Sequence, residues 1–460
     1  MKIVIVGGGT SGWIVTNYLS RNNQCINVST EEIPIIGVGE GTTGKFSQML
    51  GIDPLTLMKE VNALPKLGIK FENWGTTKKS FWSPIEGTPF FGKIDYTTLA
   101  FGPVGYNISL MKNNKTNFYI DETNQLQCFH ENAWHIDAYK TADFFKSTSD
   151  KVNTKHYNAK VVKTNRNKGS IVSVELDNGK TLTADLFIDC SGFSRILSED
   201  NAWIDYSEYL PVNRAITYTI EESKKKSPYT TAAAKNFGWT WEIPTKEKIG
   251  RGYVYCDKYA SEDDILNELG NVEKVKSIEF KSGRVTKFLD KNCLSLGLSS
   301  GFLEPLQATS IHLTLAQLEN FRSDFPKSDL LGDENLERQY NDRMGQLHDS
   351  MRDFVSVHYS GGKKNTDFWK DLKVTPFVNK IIDLSKKRFT RDYDFPSIFG
   401  GVGQSMWSPT LWGLDHFNDG PLKETFRSTS DTVEFWKKYS ERYFIDTRKF
   451  LSAEDIISNT

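Results

Sequence analysis

The sequence predicts an α/β fold. A nucleotide-binding half built on a parallel sheet is interleaved with a second sheet region and followed by a mainly helical C-terminal region. Three observations predict it. A β-branched run at residues 2–6 leads into Gly7-Gly8-Gly9-Thr10-Ser11-Gly12 and then into Trp13 to Leu19, whose apolar spacing is helical. Strand-like apolar runs recur far downstream, at Leu186-Phe187-Ile188-Asp189 and Cys293-Leu294-Ser295-Leu296, as expected when separated pieces of chain complete one parallel sheet. From about residue 335 the pattern turns charged and helix-periodic.

Each element follows in order. Strand 2–6, the glycine turn, the helix and the run Ile26-Asn27-Val28-Ser29 make one βαβ unit. Val152 to Leu186 reads as a small meander turning at Asp177-Asn178-Gly179-Lys180. The strand at Cys293 leads through a loop to a helix from Ile311 to Phe321. Residues 1–75, 151–200 and 286–330 are therefore expected to form one discontinuous nucleotide-binding domain. Residues 76–150 and 201–285, rich in aromatics and strand formers, supply the substrate-side sheet, and 331–460 cover it with helices.

Composition excludes several classes of function. With 57 Lys and Arg against 58 Asp and Glu, the chain has no basic excess for a nucleic acid. Cys25, Cys128, Cys190, Cys256 and Cys293 show no Cys-x-x-Cys pair and no histidine at ligand spacing, so a reducing compartment and no metal site are expected. The glycine turn begins at residue 7, leaving no room for a targeting segment, and no apolar run spans a bilayer. A cytoplasmic protein without a membrane partner is the expectation.

Gly7, Gly9 and Gly12 have the Gly-x-Gly-x-x-Gly spacing. One glycine permits the tight turn, one lets a pyrophosphate approach, and one lets helix and strand pack closely. The phosphate would lie at the helix N-terminus, on free backbone N–H groups. After the second strand come Thr30-Glu31-Glu32, where either carboxylate can accept from a ribose hydroxyl. NAD and FAD share that ribose, so the turn does not choose between them.

Gly238-Trp239-Thr240-Trp241-Glu242-Ile243-Pro244 does choose, because it resembles the Gly-Trp-x-Trp-x-Ile-Pro motif of flavin-dependent halogenases. Further matches follow in order: Gly7 to Trp13; Ile33-Pro34-Ile35-Ile36-Gly37-Val38-Gly39-Glu40-Gly41-Thr42; Asn73-Trp74; Asp185 to Phe193; and Ser300-Gly301-Phe302-Leu303-Glu304-Pro305-Leu306. Arg352-Asp353-Phe354, His358-Tyr359 and Asp367-Phe368-Trp369 resemble the helical roof of that family's substrate site. The resemblance implies an FAD-binding Rossmann-like domain of the flavin monooxygenase type. It places FAD on Gly7, Gly8, Gly9, Thr10, Ser11, Gly12, Trp13, Thr30, Ile33, Ile36, Val38, Gly39, Glu40, Gly41, Leu298 and Ile311, with Trp239 and Trp241 as a wall against the flavin.

In that family a halide attacks the flavin hydroperoxide to give hypohalous acid. A lysine then carries this acid to a small electron-rich aromatic ring of the indole, phenol or aniline type. The resemblance implies Lys66 for that lysine, four residues before the lysine of Ile69-Lys70-Phe71, and Thr309 and Ser310 for backbone donors to a chloride, bromide or iodide ion. The single dinucleotide turn implies that a separate flavin reductase supplies FADH2.

The chain departs from the pattern at Gln307, where tryptophan-specific members carry a glutamate; an amide cannot take a proton from the ring as a general base. The stretch Ser408 to Gly413 also lacks the tyrosine pair and acid that hold free tryptophan. The same fold fits two other functions: an aromatic-hydroxylating flavin monooxygenase, for which Lys66 and the tryptophan wall have no use, and an FAD-binding protein that has lost halogenation.

Overall fold

The computed structural model describes residues 1–33, 40–85, 105–129, 133–149, 152, 154–220, 226–273, 275–361, 365–388, 390–417 and 445–459. The strand Lys2–Val6 alternates its side chains between two cores. Ile3 and Ile5 enter the main cluster, whereas Val4 and Val6 pack with Ile171, Val174 and Leu176 of the meander. With both faces covered, the run is continuously apolar rather than alternating.

Six strands make this sheet, in the order Thr154–Asn158, Gln24–Ser29, Lys2–Val6, Leu186–Asp189, Cys293–Ser295, Leu289–Asp290. All neighbours are parallel except the final antiparallel pair. The separated apolar runs thus meet side by side, and the helix Thr10–Ser20 leaves the C-terminal end of the central strand. The meander forms as expected, with Leu176 N donating to Lys180 O across the turn.

The second sheet has seven strands, ordered Lys276–Glu279, Arg214–Ile220, Ile249–Tyr255, Gly238–Pro244, Thr230–Ala234, Gly68–Glu72 and Ser80–Pro84. The Gly-Trp-x-Trp-x-Ile-Pro segment is one of its central strands and buries Trp239 and Trp241. A third, small sheet of Glu40–Gly41, Ala133–Ile136 and Leu64–Lys66 sets Gly41 and Lys66 on either side of one strand. The helices Glu334–Ser356, Pro376–Ser385 and Gln404–Gly413 follow, and Phe354, Trp407 and Leu411 join the same continuous core as the first strand. Among the described residues no helix is long and apolar enough to cross a membrane.

Candidate active site

The glycine turn is shaped by backbone contact. A Cβ at Gly12 would come within 2.2 Å of the Gly7 carbonyl oxygen, so only glycine lets the helix start this close to the strand. Gly9 is different: a Cβ there meets nothing within 4 Å, because it faces open space. Gly9 is also the N-cap, with no side-chain cap and no acidic residue in the first turn. The helix therefore presents its orphan N–H groups and positive dipole end to that space, and this fits a pyrophosphate of FAD. Gly297 closes on the same turn, since its Cβ would meet Ser11 at 3.0 Å, which brings half-buried Leu298 to its edge.

Of the other expected cofactor residues, Trp13 is buried edge-on against His156 at 5.1 Å, Thr10 and Ile311 are buried, and Thr30 is half-buried at the end of its strand. Ile33 is 61% exposed. Ile36, Val38 and Gly39 lie outside the described residues. The exposed Glu31 and Glu32 carboxylates pair with Lys146 and Lys160. Desolvation, with Asp137 adding its field, pushes the Glu40 carboxyl up to about 7.

Lys66 is wholly buried, and among the described residues its hydrogen-bond partner is the Thr42 carbonyl, at 3.2 Å. A lysine enclosed without a carboxylate loses the hydration of its ammonium. Burial accordingly holds the amine far below its ordinary value, at about 7. Its positive form also helps keep neighbouring His135 neutral. Gly41 makes the space: a Cβ there would lie 2.6 Å from Lys66 Nζ and 3.2 Å from the Ala308 Cβ. Gly41 therefore lies between the amine and Ala308 of the Gln307-Ala308-Thr309-Ser310 segment.

That segment departs from its sequence expectation in one respect. The helix begins at Thr309, not near Ile311, so Thr309 and Ser310 are its first residues rather than side-chain caps. Ala308 is the N-cap in the left-handed region, φ 54° and ψ 43°, with no side-chain cap and no acid in the first turn. An L-residue there costs roughly 1–2 kcal/mol. With no side-chain cap and no acid in the first turn, the Thr309 and Ser310 amides are among the orphan N–H groups of this helix start.

A cavity of about 280 Å³ adjoins it, lined among others by Thr43, Gln307, Thr309, His312, Phe354 and Met406. Thr43 follows Thr42, whose carbonyl accepts from Lys66, and Gln307 precedes Ala308, which lies across Gly41 from the amine. Gln307 Nε2 is 2.9 Å from His358 Nε2. His312 Nε2 donates to the Gly400 carbonyl at 2.6 Å, leaving Nδ1 to accept from the Thr43 hydroxyl at 2.8 Å. Glu304, one turn earlier, faces away into the core, where the Tyr359 hydroxyl donates to its carboxyl oxygens at 2.7 and 2.8 Å and burial pushes it up to about 8. Trp239 packs between Trp241 and Trp74, at 6.1 and 6.3 Å. The His358 and His312 contacts were not expected from sequence; both partners arrive from distant segments with no local motif.

A parallel sheet with an uncapped glycine turn, a desolvated amine and a cavity nearby are the features of a nucleotide-binding α/β enzyme. The comparisons with known proteins agree. The tryptophan halogenase family model matches residues 2–414. The tryptophan 7-halogenase RebH of Lentzea aerocolonigenes is 30% identical over 438 residues, covering 83% of this chain and 81% of the relative. The flavin-dependent tryptophan C-6 halogenase Tar14 of taromycin biosynthesis superimposes with a TM-score of 0.86 at 26% identity, covering 99% of each chain. The tryptophan 6-halogenase SttH of Streptomyces toxytricini shares the fold, with a TM-score of 0.88 at 24% identity over 100% of this chain and 99% of its own. The chain belongs to the tryptophan halogenase family and is a flavin-dependent halogenase.

Proposed function

We propose that the enzyme halogenates a small electron-rich aromatic compound of the indole, phenol or aniline type through Lys66. The supporting observation is the buried Lys66 amine, which lies across Gly41 from the uncapped Ala308–Ser310 helix start near the cavity. FAD, reduced by a separate flavin reductase, supplies the activation of oxygen when bound. Gly7, Gly8, Gly9, Thr10, Ser11, Gly12 and Trp13 would hold it, together with Leu298, Ile311, Glu40 and Gly41. Of residues 1–75, 151–200 and 286–330, Gly68–Glu72 belongs instead to the second sheet; the rest carry the cofactor, and the second sheet and C-terminal helices close over the substrate.

The chain's own groups do the rest. Thr309 and Ser310 N–H groups, at the positive end of their helix, hold the halide. With its proton affinity lowered to about 7, Lys66 is present both as amine and as ammonium near neutral pH. The amine takes the halogen of hypohalous acid: an N–halogen bond forms, the O–halogen bond breaks, and the amine proton leaves with the oxygen as water. The ammonium holds the same acid by a hydrogen bond and polarises it. Either way the electrophile is presented at a cavity wall shielded from bulk water, and Trp239 and Trp241 close the sheet side.

Gln307 stands where a general base would be and cannot act as one, so rings already activated by nitrogen or oxygen suffer least. Free tryptophan, the substrate printed in the relatives' names, is one candidate among these. The test is mass spectrometry of the protein with FAD, a generic flavin reductase, NADH, oxygen and a panel of phenols, anilines and indoles, with chloride, bromide and iodide in parallel. Halide-dependent ring halogenation is expected. Hydroxylated rings identify a monooxygenase instead, and peroxide alone with every halide identifies a flavoprotein that has lost halogenation.

A further inference from the structure

The contact between Gln307 and His358 fixes which atom of the carboxamide faces the cavity. His358 Nδ1 lies 3.0 Å from the Phe354 carbonyl oxygen and 3.2 Å from that of Val355. Carbonyl oxygens only accept, so Nδ1 carries the ring proton. The imidazole is wholly buried, and desolvation holds it down to about 4. It is therefore neutral, and Nε2 is a bare acceptor.

An acceptor 2.9 Å away admits the amide NH2 of Gln307 and rejects its oxygen. The amide is thus turned one way by a residue 51 positions along the chain. Gln307 Oε1 takes no partner among the described residues and is not enclosed, which leaves it open to the cavity that Gln307 lines. The short helical turn Pro305–Gln307 fixes where this side chain starts.

We propose that Gln307 determines substrate specificity: its carboxamide oxygen accepts a hydrogen bond from a ring N–H or O–H of the aromatic substrate. His358 is the positioning residue that keeps that oxygen, rather than the NH2, toward the cavity. This rests on the halogenase reading and narrows it to phenols, anilines and indoles with a free donor. O-methyl and N-methyl analogues lose the bond and leave the acceptor unpaired. A site that binds such a donor rejects analogues lacking it far more strongly than it rejects a change of one methylene.

The experiment compares kcat/KM for a phenol with its O-methyl ether, and for an indole with its N-methyl derivative, in the wild type, Gln307→Leu, His358→Phe and His358→Gln. Halide-dependent flavin oxidation is followed in the same reactions. The wild type is expected to prefer the donor-bearing ring by at least about tenfold. Gln307→Leu and His358→Phe reduce that preference to within about twofold, through a higher KM for the donor-bearing ring. His358→Gln returns an acceptor to the Gln307 NH2 and recovers part of the preference, which packing alone would not do. Nitrogen NMR of the wild type should show His358 as the Nδ1–H tautomer.

Equal kcat/KM for a ring and its methylated analogue in the wild type overturns the inference while leaving the halogenase reading intact. So does an undiminished preference in Gln307→Leu, which decides the matter even if His358→Phe does not fold. Absence of halogenated product from every ring overturns the halogenase reading, and this inference with it.

Discussion

Two helices that pack against each other begin without side-chain caps, and they achieve it by opposite means. The Thr10–Ser20 helix starts behind Gly9, at φ −76°, an ordinary conformation; its opening is made by leaving side chains out. The Thr309–Asp324 helix starts behind Ala308, at φ 54°, a conformation its side chain disfavours, with the Lys66 amine across Gly41 from it. A pyrophosphate needs backbone to approach along its length, which glycines allow. A single halide ion needs only converging donors, and local strain can aim those. The difference separates a binding site built by subtraction from a reactive site built by strain and burial.

The sharpest way to break this comparison is at the glycines. Gly12→Val should abolish folded, flavin-binding protein, because even a Cβ would overlap the Gly7 carbonyl. Gly9→Ala should fold normally, with stability within about 0.5 kcal/mol of the wild type, yet, if the proposed cofactor site is right, bind FAD at least about tenfold more weakly, because its methyl would enter the open space at the turn. Thermal melts and flavin fluorescence titration separate the two. Unchanged FAD affinity in Gly9→Ala would remove the turn from the cofactor site.

The buried amine sets the next effect. Its proton affinity falls from an ordinary 10.5 to about 7 on folding. Between those values the unfolded chain binds the extra proton, so stability rises with pH from about 7 upward, and below about 7 the full burial cost is present. Lys66→Met keeps the volume and removes the charge. Since each tenfold change in proton affinity is worth about 1.4 kcal/mol, the variant should be more stable by a few kcal/mol at pH 6, and by progressively less toward pH 10. Denaturant unfolding across pH reads this directly.

Glu304 gives the opposite slope. Raised from 4.5 to about 8, its carboxyl stays protonated in the fold after the unfolded chain has lost its proton, so stability falls as pH rises through that window. Glu304→Gln retains an acceptor for the Tyr359 hydroxyl and should flatten this contribution between pH 5 and 8. The smallest effect belongs to Ala308→Gly. Relief of the left-handed strain and the greater freedom of the unfolded glycine oppose each other, leaving a stability change under about 1 kcal/mol. A loss of several kcal/mol would show that Ala308 is held by packing rather than strained.

The first helix start was more legible in the sequence than the second, for physical reasons. Gly7, Gly9 and Gly12 act within one local turn, so their spacing carries their geometry. The run 2–6 likewise announced a strand, and a second sheet was legible from the strand formers and aromatics of residues 201–285, which include Gly238–Pro244. Lys66 was selected through family register, because nothing local distinguishes a lysine buried without a carboxylate from one in solvent. The left-handed Ala308 was hidden, as alanine gives no sign of that conformation, and the helix consequently starts two residues before its apolar pattern does. The Gln307–His358 contact joins segments 51 residues apart and depends on a tautomer that only the Phe354 and Val355 carbonyls define.

The central claim is that the Lys66 amine, placed beside the Ala308–Ser310 turn, carries halogen from one site to the other. Single-turnover reactions with reduced FAD, oxygen, bromide and an indole or phenol test it most directly, with flavin oxidation and brominated ring quantified together in the wild type and in Lys66→Met. Flavin oxidation is expected in both proteins, and brominated ring above background only in the wild type. Brominated ring from Lys66→Met at the wild-type yield would contradict the claim.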